Sequence, residues 1–207
     1  GGRIVPSFTR NWLVKRQSAV LPAPPMQTFD KAALAALLVA LVLWVTLPLH
    51  MSTGLTLFLA GVLHLVRLRR WAGHRTLKEP LVTVLHAGYA FVPLGALALA
   101  AEIAVPGSVG MAGAQHLWMA GAIGLMTLAV MTRATLGHSG QTLTAGAGTV
   151  TIYAALIVAV LARVAAGLRP DISGLLHVVA GLCWIAAFGG FAVFYGALLL
   201  RLSAKRV

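Results

Sequence analysis

Acidic side chains are the scarcest feature of this sequence. Asp30, Glu79, Glu102 and Asp171 are the whole set among 207 residues. All four fall near the ends of apolar runs or in the connections between them. No two are therefore placed to share acid–base work across a substrate. Carboxylates at mid-membrane depth, the usual mark of ion-coupled transport, are missing as well. The one cysteine, Cys183, excludes an internal disulfide. It lies inside an apolar run and reads as a small packing residue. Charged residues make up only 10% of the chain, against about 25% in soluble domains. So few charges cannot cover a surface that faces water. No glycine cluster follows a strand-like segment, which excludes a phosphate-binding loop. Residues 1–31 lack the compact apolar core of a signal peptide, and they carry Pro22, Pro24 and Pro25.

What is present is apolar length. Hydrophobic residues reach 59%, with a mean hydropathy of +0.91. Six runs are long enough for membrane helices, which need about 20 residues. They are 32–49, 53–68, 81–105, 111–136, 150–166 and 175–200. The expected fold is all-α: a polytopic membrane helix bundle of about six transmembrane helices. Residues 1–31 read as a polar, basic loop segment, and residues 32–207 as the bundle. Asp30 is placed to cap the first span. Pro93 falls inside the third, where a membrane helix tolerates a kink if neighbours satisfy the freed carbonyl.

The basic residues give an orientation. With a cytoplasmic start, fourteen of the sixteen Lys and Arg fall inside. Arg201, Lys205 and Arg206 are among them, and only Arg163 and Arg169 fall outside. That bias places both termini in the cytoplasm and accounts for the net charge of +12 without a nucleic-acid partner. Trp71 and Trp118 are expected at opposite interfaces, where aromatic residues gather.

Histidines carry the functional signal. Intramembrane histidine is rare and usually faces the bundle interior. Alternating span direction sorts six of the seven into two layers. His64, His86 and His138 fall toward the inner surface; His50, His116 and His177 fall toward the outer one. His74 lies in the basic loop and reads as solvated. His116 and His138 bracket the stretch Gln115–Gly140. On a continuous α-helix they lie about 33 Å apart and return to within about 40° of one face.

Neutral imidazole suits iron, copper and zinc, and two histidines on facing helices can hold a haem iron axially. Arg133, or Arg163 and Arg169, could pair with propionates. Met119, one turn from His116, adds a soft ligand suited to Cu(I). The plain alternatives are solvation for His50 and His177, and a bond to a neighbouring carbonyl for His64. A histidine-lined path in a transporter or channel is the competing function.

Three segments carry a resemblance: MTLAVMTRATLGHSG, GGRIVPSFTRNWL and LVTVLHAGYAFVPLG. They resemble the NnrS family, multi-pass proteins of the bacterial cytoplasmic membrane in denitrifying bacteria. The resemblance implies bound haem and copper and a part in nitric oxide metabolism or the nitrosative-stress response. It raises His86, His116 and His138 as ligand candidates. Partners implied are lipid, haem and nitric oxide or a related small molecule. The family typically has about twice as many spans, so the chain reads as a C-terminal half, with the N-terminal half as a further partner.

Overall fold

The computed structural model describes the backbone of residues 1–204 and the side chains of residues 1–200. The expected inner charges Lys205 and Arg206, and the side chain of Arg201, lie outside that range. Among the described residues every regular element is helical. The order is α1 (Ile4–Lys15), α2 (Thr28–Thr46), α3 (Met51–Arg69), α4 (Pro80–Ala104), α5 (Met111–His116), a π-helical stretch (Leu117–Leu125), α6 (Met126–His138), α7 (Ala147–Leu168) and α8 (Ser173–Ala204). From α5 to α6 the chain is one rod, Met111–His138. Six helical units are long and apolar enough to cross a membrane. This is a multi-pass membrane protein.

Local chemistry sets the ends. A capping box starts α2: the Gln27 side chain takes the N–H of Asp30, and Asp30 Oδ2 takes the N–H of Gln27 at 3.0 Å. Asp30 is thus the third helical residue rather than the cap itself. His50 caps α3 through Ser52 N–H. Glu79 caps α4, and Pro80 follows at its first position, where proline's missing N–H costs nothing.

The first thirty residues depart from expectation. They contain α1, whose Val5, Thr9 and Leu13 are buried. Those residues recur every four positions, one stripe of a helix. The stripe lies against α4.

The spans pack in chain order. α2 lies on α3, α3 on α4, α4 on the Met111–His138 rod, the rod on α7, and α7 on α8. Central α4 is the most buried span, and the flanking α2 and α8 the least. Their exposed faces carry Leu38, Val39, Val45, Ile185 and Val193, an apolar surface that meets lipid.

Candidate functional site

Polar groups collect at both ends of the bundle. One end, the basic end, holds α1, the end of α3, the start of α4 and the end of α6. There Arg67 Nε donates to Asp30 Oδ1 at 2.6 Å, with both side chains at most 3% exposed. Arg67 Nη1 donates to the Tyr89 hydroxyl at 2.9 Å. His64 Nδ1 lies 2.6 Å from that hydroxyl, and His64 Nε2 donates to the Ala33 carbonyl at 3.1 Å. The Trp71 ring packs on Tyr89 and beneath the Arg67 guanidinium. Trp71 is therefore core, not an interfacial anchor. One network joins α2, α3 and α4.

His86 stands beside it with separate partners. Its Nε2 lies 2.7 Å from Thr9 Oγ1. Thr9 spends its own hydroxyl proton on the Val5 carbonyl, at 2.8 Å. The shared proton is thus on Nε2, and His86 Nδ1 is a bare nitrogen. That Nδ1 is buried without a partner among the described residues. It faces Gly73, where a Cβ would sit 2.5 Å away. Among the described residues His64, His86 and His138 form no three-residue metal group. His64 has both ring nitrogens engaged, His86 is enclosed by α1 and the Gly73 loop, and His138 is exposed at the end of α6. Arg133 stacks on Phe8 of α1, 4.3 Å from the ring centroid.

The opposite end is open. His116, Met119, Arg163, His177 and Trp184 line a cavity of about 400 Å³. A second cavity of about 320 Å³ shares His116, Arg163 and His177 and reaches Met111. The three shared residues come from α5, α7 and α8, each within about two turns of that end. The His116 Nδ1–H donates to the Ala112 carbonyl at 2.6 Å. This leaves the lone pair on Nε2, the anchored-imidazole arrangement of metal-ligating histidines. Arg163 makes no ion pair with any acid among the described residues. His50, expected in the same layer, stands apart in the α2–α3 connection and bonds Ser52 at 2.8 Å.

The π-helical stretch begins just after His116. Such stretches recur at functional sites. Gly121 lets the Phe91 ring reach its backbone, since a Cβ there would lie 2.5 Å from Phe91 Cγ. Trp118 donates its indole N–H to the Val92 carbonyl at 2.8 Å, which ties the rod to α4. A π segment changes the angle per residue. The alignment of His116 and His138 on one face, which assumes an unbroken α-helix, no longer follows.

Residues 1–202 match the family model described as NnrS protein. The chain belongs to the NnrS family. No curated protein and no solved structure matches it. NnrS membership makes it a membrane protein of nitric oxide metabolism. Among the described residues of this NnrS chain, no three His, Cys, Asp or Glu side chains group closely enough to hold a metal ion.

Sequence reasoning missed Asp30, Arg67, Tyr89 and Thr9. A signal was available for two of them. His64 and Arg67, and likewise His86 and Tyr89, are spaced i,i+3 and share a helix face.

Proposed function

We propose that this NnrS chain holds haem at the open end of the bundle, in the cavity between α5, α7 and α8. The observation that carries the reading is His116, with one ring nitrogen anchored and the other free, beside His177 and Arg163. Two imidazoles on different helices would be the residues to hold haem iron, and the guanidinium would pair with a propionate. The walls between them are largely apolar: Ala120, Ala159, Ala180 and Trp184. When bound, haem would supply an iron that exchanges one electron. His116 and His177 would hold and orient the group, and Arg163 would offset its carboxylate charge.

Copper fits this cavity less well. Its soft donor, Met119, is 62% exposed, and no carboxylate lining residue balances the charge of Arg163. At the basic end His86 Nδ1 has a ligand's lone pair, but Gly73 closes the space in front of it.

Visible absorption of the purified protein tests the reading. A haem spectrum is expected in the parent chain. Removing His116 and His177 together should lower haem retention at least about tenfold, the scale of losses when a metal site's support is removed. Undiminished haem in that double variant would sink the assignment.

We also propose that the chain sits in the bacterial cytoplasmic membrane with the basic end in the cytoplasm, a reading the basic-residue bias supports. Reporters fused at Met51, Gly107 and Leu168 should all read outside. A cytoplasmic readout at two of them reverses the orientation.

A further inference from the structure

The Tyr89 cluster sets a phenolic proton against a bare imidazole nitrogen. Arg67 Nη1 donates to the phenol oxygen at 2.9 Å. The one phenolic O–H is then free to donate onward, and its acceptor is His64 Nδ1 at 2.6 Å. That nitrogen is bare, because His64 gives its Nε2–H to the Ala33 carbonyl. Each hydrogen on the path has one place.

The chain supplies its own controls. It has three tyrosines. Tyr153 meets the hydroxyl of Thr132 and Tyr195 that of Thr149. A hydroxyl is a poor base beside an imidazole, and among the described residues neither of these phenols receives an arginine hydrogen bond. Among the described residues only Tyr89 pairs a base that takes its proton with a cation at its oxygen. The Trp71 ring, its centroid 4.5 Å from that of Tyr89, gives an electron path from the basic-end loop.

We propose that Tyr89 and His64 form a one-electron, one-proton relay in the basic half of the bundle. An oxidised metal centre, or another one-electron acceptor, takes an electron from the Tyr89 ring. The phenolic O–H bond breaks and an N–H bond forms at His64 Nδ1. The products are a neutral tyrosyl radical, an imidazolium and the reduced acceptor, and the return of the electron reverses each change. Loss of the electron alone would leave a radical cation against the Arg67 guanidinium in a low-dielectric interior, where like charges repel strongly. Moving the proton takes the new charge off the ring bonded to Arg67. Asp30, paired to Arg67 at 2.6 Å, offsets one positive charge in the cluster. The relay does not depend on haem at the open end.

The test uses the full chain in detergent micelles with photogenerated tris(bipyridine)ruthenium(III), a one-electron oxidant that needs no bound haem. Electron paramagnetic resonance should show a tyrosyl radical, identified by its narrowing when the protein carries ring-deuterated tyrosine. The signal should vanish in Tyr89→Phe and persist in the double variant Tyr153→Phe/Tyr195→Phe, where Tyr89 is the one tyrosine left. In His64→Ala the radical should form about a hundredfold more slowly, the scale of a lost general base. Added imidazole should restore part of that rate, which a merely structural histidine would not allow. No tyrosyl signal in the parent, loss of the signal in the double variant, or an unchanged rate in His64→Ala overturns the relay. Because the oxidant is external, these outcomes are independent of whether the open-end cavity binds haem.

Discussion

The two ends of the bundle use the same residue types in opposite ways. At the basic end, Arg67 and His64 are held by protein partners, and Arg67 Nη2 and His86 Nδ1 are buried without one among the described residues. Arg67 has Asp30 and Tyr89 as partners, and His64 has Tyr89 and Ala33. At the open end Arg163 and His177 face a cavity, and His116 uses one nitrogen and keeps the other free. A bonded polar group in an apolar interior holds helices together. An unbonded one beside open space is available to something else. Counting histidines by depth cannot tell these cases apart; counting their hydrogen bonds can.

Matched substitutions of the two arginines test the contrast most severely. Arg67→Ala leaves Asp30 charged and buried without its partner, and breaking such a pair costs about 3–5 kcal/mol. Arg163→Ala should change stability by no more than about 0.5 kcal/mol, as at sites without partners. Unfolding of both variants in the same detergent reads the difference directly. Equal losses would mean that Arg163 is structural and that the open end is not open.

A smaller effect is expected at the His86 boundary. A methyl added at Gly73 would meet the ring at 2.5 Å from Nδ1. Gly73→Ala should cost about 1–3 kcal/mol, the range for overpacking, without altering the open end. A neutral result would show that the loop has room to yield, and would return His86 to the list of ligands.

The smallest effect belongs to His50. It caps α3 and lies away from the cavity. His50→Ala should cost about 0.5 kcal/mol, as for a weak cap, and should leave the haem spectrum unchanged. A lost spectrum would join His50 to the open-end site and undo the division drawn above.

The spans were legible because apolar length needs no partner to be recognised. Every expected run lies in a helix, and helix boundaries differ from expectation by a few residues. Helix α1 was hidden by its surroundings. Pro22, Pro24 and Pro25 colour residues 1–31 as a loop, whereas Ile4–Lys15 holds only Pro6, in the first turn, where a helix accepts proline. The Asp30–Arg67 pair was not legible because 37 residues separate its members and only packing brings them together. Grouping of His116 with His177 followed from alternating direction and helix rise. Exclusion of His50 from that group did not, since depth says nothing about which side of the bundle a residue occupies. The π-helical stretch has no compositional mark at all; its residues would serve an α-helix equally well.

The order of helices in space also bears on how the molecule is made. Each span packs on the one before it, so contacts are local in sequence, the condition for fast and stepwise folding. A span leaving the ribosome finds its neighbour already in place. Helix α1 is the exception. Its partners Phe8–Arg133 and Thr9–His86 are synthesised long after it. Among the described elements it emerges first, and its contacts with the basic end are complete only once Arg133 of α6 has arrived.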